Sequence, residues 1–127
     1  MSIAVLDTTV IIHLSRKHQT AVAWLSSQQA TFSITPMTWM EVMVGVANKN
    51  AQADSLTLLS GFEMVYLTPS DMDWAMQQML TLHFSQGVGV MDCFIASVCQ
   101  RLNQPIYTHN QKDYLKMLPP NLIVKPN

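Results

Sequence analysis

The chain has 127 residues, of which 49% are hydrophobic and only 12% charged, with a formal net charge of −1. That length can bury a core as one domain, residues 1–127, without disulfides or a structural metal, and the near-neutral balance excludes a whole-molecule field that draws in polyanions. Ordinary soluble domains carry roughly 25% charged residues, so this composition implies an apolar face covered by a partner or a second copy.

In chain order, residues 3–6 (IAVL) read as a short, fully apolar strand, and 8–15 as the helix that follows. A second helix covers 20–28, and 31–34 (TFSI) make a second strand. Thr35 and Pro36 form an N-cap and N1 pair for a helix running to about Asn48. A helix over 51–60 stops at Gly61, and 63–67 (EMVYL) read as a third strand. Residues 70–85 place Met72, Ala75, Met76, Met79, Leu80 and Phe84 at helical spacing. After "QGVGV" (86–90), which reads as a mobile loop, come a helix over 91–102, a strand at 105–108 and a last strand at 122–124. Short apolar strands alternating with helices predict an α/β fold whose mainly parallel sheet is covered on both faces.

Several chemistries drop out. Cys93 and Cys99 sit six residues apart in one predicted helix, about 9 Å along its axis, too far for a disulfide; they read as small core residues. The histidines (His13, His18, His83, His109) show no HxxxH or HExxH spacing for zinc. No GxGxxG or P-loop motif is present. No apolar run reaches the roughly 18 residues of a membrane span, and the N-terminus lacks a leader pattern, which points to the cytoplasm.

What remains is a set of carboxylates in unusual company. Asp7 ends the first strand, where Asp is a favoured helix cap but where open α/β sheets also bind ligands. Glu41 is the only charge in "PMTWMEVMVGVA", and its neighbours at helical spacing are Met37, Thr38, Val44 and Gly45. A carboxylate buried there needs a cation or several donors. Asp92 repeats the pattern in "GVGVMDCFIASVC", with no basic residue within eight positions. Asp113 follows the strand "PIYT", as Asp7 follows the first. Asp54, Asp71 and Asp73 lie near predicted helix starts and read as dipole partners. Acids gathered at one sheet edge repel unless a cation bridges them, and all-oxygen ligands favour Mg²⁺ or Mn²⁺. The matching chemistry is metal-assisted phosphodiester hydrolysis.

"VLDTTVIIHL", "ITPMTWMEVMVG", "GVGVMDCFIASVC" and "YTHNQKDY" resemble the four successive motif regions of the PIN-domain ribonucleases, and in length and spacing the chain is most similar to the toxin subunits of bacterial VapBC-type toxin–antitoxin pairs. The likeness runs from about residue 3 to residue 125. It implies a three-layer α/β/α sandwich, and it matches Asp7, Glu41, Asp92 and Asp113 to the family's acidic quartet, which binds Mg²⁺ or Mn²⁺. In that reading Asp7 and Asp92 hold the principal metal, and Thr8, Thr108 and Asn110 support the cluster. Cleavage leaves 5′-phosphate and 3′-hydroxyl ends. The expected partners are a structured RNA, a cognate antitoxin and a second copy of the chain, with no membrane. Arg16, Lys17, Arg101, Lys112 and Lys116 are the candidate phosphate contacts, and Trp39 and Tyr107 candidates for stacking on bases. A PIN-type RNA-processing nuclease without an antitoxin, and a catalytically silent binding module, stay open. A phosphoacceptor receiver domain is disfavoured, since the first strand ends in Asp7-Thr8-Thr9 and the third is followed by Thr68-Pro69-Ser70.

Overall fold

The computed structural model describes residues 3–126. Its frame is a parallel sheet of five strands, β1 (Ala4–Leu6), β2 (Phe32–Ile34), β3 (Glu63–Met64), β4 (Ile106–Tyr107) and β5 (Ile123–Val124). The order across the sheet is β3-β2-β1-β4-β5. Val5 pairs with Ile106 and Leu6 with Tyr107 in parallel register. Alternate residues of a strand face opposite sides, and β1 shows why the sequence there is apolar throughout. Ala4 and Leu6 enter one core with Ile11, Phe32, Ile34 and Val42. Val5 enters the other, with Ile95, Val98, Cys99, Ile106 and Tyr114.

Helices α1 (Thr8–Ser15), α2 (Gln19–Ser27), α3 (Pro36–Val44) and α4 (Lys49–Leu59) supply the first core. Helices α5 (Pro69–Gln86), α6 (Val90–Leu102) and α7 (Gln111–Tyr114) cover the other face. The result is the expected α/β/α sandwich. The chain winds outward from β1 to β3, then returns to place β4 on the other side of β1. The crevice at the carboxyl ends of β1 and β4 is therefore the topological switch point, where open α/β sheets receive ligands.

Several local expectations change. The third strand is two residues long instead of five; Val65 still donates its N–H to the Ile34 carbonyl at 2.8 Å, but at the sheet edge nothing holds Tyr66 and Leu67 on a second side. Helix α3 ends at Gly45 rather than Asn48, because Asn48 instead caps α4, its side chain accepting the Ala51 N–H at 2.8 Å. With α4 starting at Lys49 and α5 at Pro69, Asp54 and Asp73 lie beyond the first helical turn, and only Asp71 serves a helix start. The "QGVGV" segment is a paired cap rather than a loose loop: left-handed Gly87 closes α5, Val88 is buried and Gly89 opens α6. Left-handed φ favours glycine, so the spacing G-V-G encodes the turn. Thr35 and Thr68 cap α3 and α5 through their hydroxyls, as Ser/Thr N-caps do. Helix α7 has no counterpart among the expected elements, because four residues carry no helical periodicity.

Candidate active site

Asp7 follows β1 at the start of α1, but its side chain makes no capping hydrogen bond. This corrects the expectation that it caps the helix. Its carboxylate, 3% exposed, is instead turned toward β4 and α7. Oδ2 accepts the hydroxyls of Thr108 at 2.7 Å and Thr9 at 3.2 Å, and Oδ1 accepts the Tyr114 hydroxyl at 2.8 Å. Parallel pairing of β1 and β4 brings these groups together, since the Asp7 N–H donates to the Tyr107 carbonyl at 3.0 Å. Thr108 is thereby fixed one residue beyond the ladder.

Asp92 stands in the first turn of α6, an end whose free N–H groups favour an anion. The Tyr114 hydroxyl also lies 3.2 Å from Asp92 Oδ1, so one phenol oxygen sits between two carboxylates. The side-chain amide of Asn110 joins Asp92 Oδ2 at 3.3 Å to Asp113 Oδ2 at 2.9 Å. Asp113 is held further by Lys116, 3.0 Å away, which also donates to the Gln86 carbonyl at the end of α5. Glu41, in α3, joins from the other side of the crevice: the Thr8 hydroxyl is 2.6 Å from Glu41 Oε1 and 3.1 Å from the Thr38 hydroxyl. Asp7, Asp92 and Asp113 are thus linked through Tyr114 and Asn110, Glu41 is tied to the start of α1 through Thr8, and Thr8, Thr108 and Asn110 are hydrogen-bond partners of these acids.

The electrostatics separate these acids. Burial pushes the Asp92 carboxyl up to about 6, reinforced by the charge of Asp7 and, more weakly, those of Asp113 and Glu41; the Tyr114 hydrogen bond opposes the rise. Burial and the two neighbouring carboxylates push the Tyr114 phenol well above its usual range, so it remains a donor. The Asn110 and Lys116 bonds hold Asp113 below the usual carboxylate range. Among the described residues, Asp7, Glu41 and Asp92 have no salt-bridge partner.

That uncompensated charge, all on oxygen donors, fits a hard divalent cation. Asp7 and Asp92, which flank the same phenol oxygen, are the residues able to hold it. Among the described residues no three His, Cys, Asp or Glu side chains converge to hold an ion. A two-carboxylate anchor is nonetheless the donor set Mg²⁺ accepts, with water and phosphate oxygens completing its shell.

Other candidates fall elsewhere. Arg101 commits its Nε to buried Asp71 at 2.8 and 2.9 Å, about 14 Å along α6 from Asp92, a pair that holds α6 to the start of α5. Lys116 is engaged by Asp113. Arg16, Lys17 and Lys112 are exposed, Arg16 and Lys17 beside Glu41 in a groove between α1, α3 and α4. Tyr107 packs against Trp24 and Phe32, with ring centroids 5.6 and 5.3 Å away, and Trp39 packs on the same core, so both rings are partly buried there. Tyr114 and Thr9 were missed by sequence reasoning. "Asp-Thr-Thr" was signal enough for Thr9, whereas a tyrosine beside Asp113 gives no hint that it folds back onto Asp7.

Residues 4–117 match the PIN domain family, and the chain belongs to it. Beyond the family, it is 28% identical to a protein named Ribonuclease VapC from Rickettsia bellii, with 89% of each chain covered. Among solved structures it is similar to a DNA-bound VapBC from Salmonella typhimurium (TM-score 0.81, 20% identity, all of both chains covered). A toxin-antitoxin complex from Klebsiella pneumoniae gives a TM-score of 0.77 at 24% identity over 98% of each chain. VapBC2 from Rickettsia felis, bound to a promoter DNA fragment, gives 0.76 at 22% over 97% of each. At these identities the structural likenesses establish the fold.

Proposed function

We propose that this PIN domain is a Mg²⁺- or Mn²⁺-dependent endoribonuclease of the cytoplasm, the toxin of a toxin–antitoxin pair, acting on structured RNA. The observation that carries the reading is the uncompensated Asp7–Asp92 pair at the switch point of the sheet, supported by the family and by the relative named as a ribonuclease. When bound by Asp7 and Asp92, the divalent ion supplies charge neutralisation at the scissile phosphate and a water of lowered pKa.

The chain's own residues do the rest. Thr108 and Tyr114 fix the Asp7 oxygens, and Asn110 fixes Asp92 relative to Asp113. Thr8 engages Oε1 of Glu41, which leaves Oε2 available as a proton acceptor. Arg16, Lys17 and Lys112 meet neighbouring phosphates. RNA loops, whose bases are unstacked, are what such an open crevice admits.

Two surfaces suit the partners. The groove lined by Ile12, Val42, Val46 and Leu58 runs up to Glu41 and carries Arg16 and Lys17 at its rim; an antitoxin segment seated there would cover the site's edge. The exposed stripe Met72, Met76, Leu80 and Phe84 repeats every four residues along α5, with Leu80 76% and Phe84 98% exposed. It is the face for a second copy, and accounts for the apolar excess of the composition.

The test is cleavage of a structured RNA pool by antitoxin-free protein with Mg²⁺ or Mn²⁺, with and without EDTA, beside Asp92→Asn. Metal-dependent cuts with 5′-phosphate ends, absent in the variant, are the expected result. Cyclic 2′,3′-phosphate products, or equal cutting by the variant, would overturn the mechanism.

A further inference from the structure

Beside the acids, on the side away from Asp113, three imidazoles from three parts of the chain form a column. His13 on α1 lies with its ring centroid 4.8 Å from His18, in the turn to α2, and 4.6 Å from His109, beyond β4. The planes are tilted by 38° and 36°, so the rings overlap without lying face to face. His109 itself is set beside the acidic site: its backbone N–H donates to the Thr9 hydroxyl at 3.4 Å, the same hydroxyl that donates to Asp7. The column ends at His18, which is exposed, in an open pocket completed by Gln19, Thr20 and Ala21.

Core packing alone does not call for this arrangement. Aliphatic side chains fill such a space without carrying polar nitrogens, yet among the described residues none of the three imidazoles hydrogen-bonds the protein through its ring. Their nitrogens therefore face solvent, and stacking faces and hydrogen-bonding edges are offered together.

We infer that the His18–His13–His109 column is a nucleobase seat, holding the base of a nucleotide adjacent to the scissile phosphate. The inference rests on the ribonuclease reading above. An RNA strand whose phosphate lies at Asp7 and Asp92 must leave the crevice over one of its flanks. The Asn110 flank carries Asp113, paired with Lys116, and the exposed Lys112, groups that meet phosphate rather than a base. The pocket on the Thr9 flank has no carboxylate in its lining and presents the imidazoles instead. A strand leaving over that flank meets rings on which a base can rest, since bases stack on histidine as on other aromatic rings.

The test is fluorescence anisotropy with a labelled pool of stem–loop RNAs carrying a randomised loop, and a matching pool with an abasic loop. Binding is measured without cleavage in the Asp92→Asn protein. Adding His18→Ala, an exposed substitution that leaves the core intact, should weaken binding of the base-containing pool about 5-fold or more, whereas His18→Phe restores it. The abasic pool should not distinguish the variants. If Asp92→Asn protein binds the RNA and His18→Ala binds equally well, the seat is refuted while the nuclease reading survives. Equal weakening on both pools would also refute it, since the contact would then be to the backbone. If the Asp92→Asn protein binds no RNA at all, both readings fall.

Discussion

Tyr114 donates its hydroxyl to Asp7 at 2.8 Å across 107 residues of sequence, and the same oxygen stands 3.2 Å from Asp92. The phenol is fully buried and burial keeps it protonated. It is therefore a fixed spacer with a proton on it, placed between two charges that repel.

Tyr114→Phe removes that donor while keeping the ring in its core position. A hydrogen bond to a charged group contributes about 1.5–3 kcal/mol, so thermal unfolding should shift down by several degrees and cleavage should fall by about 10-fold or more. A variant with parental melting and parental cleavage would show that the hydroxyl is idle.

Asp92→Asn and Asp7→Asn should move stability in opposite directions. For Asp92 the sign follows from its raised value of about 6 against 3.8 for the unburied group. Below both values the carboxyl is protonated in folded and unfolded chains alike, and the substitution is neutral. Between them the folded state holds the proton more tightly, so parental stability declines as pH rises through this window. Above about 6 the folded protein carries a desolvated charge among like charges, and Asp92→Asn should raise Tm by a few degrees. Asp7, by contrast, accepts three hydroxyl protons. An amide turns one acceptor into a donor against donors, costing about 1–3 kcal/mol. Melting curves between pH 4 and 8 check both; a pH-independent effect of Asp92→Asn would remove the electrostatic account.

Mg²⁺ or Mn²⁺ should raise the melting temperature of the parent at neutral pH, because binding to the folded state alone stabilises it by mass action. EDTA should reverse the shift, and Asp7→Asn and Asp92→Asn should each abolish it. An undiminished shift in both variants would place the ion elsewhere.

Arg101→Met should unfold the protein more readily yet leave cleavage by the folded fraction unchanged. Its guanidinium meets both oxygens of buried Asp71, which also closes the capping box of α5 with Thr68. Leaving that carboxylate without its cation is destabilising by about 3 kcal/mol or more. Loss of cleavage at full stability would return Arg101 to the RNA-binding surface.

Sequence reasoning reached the acids by two routes: Glu41 and Asp92 had no charged company on their helices, and Asp7 and Asp113 each followed a strand. The layer order followed from apolar strands alternating with helices. The groups that fix the acids were harder to read. Tyr114 acts through a contact that only the β1–β4 pairing creates, and α7 is too short to leave a periodic trace. The imidazole column escaped for a similar reason, since no spacing rule connects His109 to His13. The pairing of Arg101 was not legible because its partner, Asp71, lies thirty positions upstream.

The parallel placement of β4 beside β1 has a consequence for synthesis. A ribosome delivers Asp7 about a hundred residues before Thr108 and Tyr114, and a chain that stops before them cannot bring those hydroxyls to that carboxylate. A nascent or truncated product ending before Thr108 thus carries Asp7, Glu41 and Asp92 but not the groups that fix Asp7 in place.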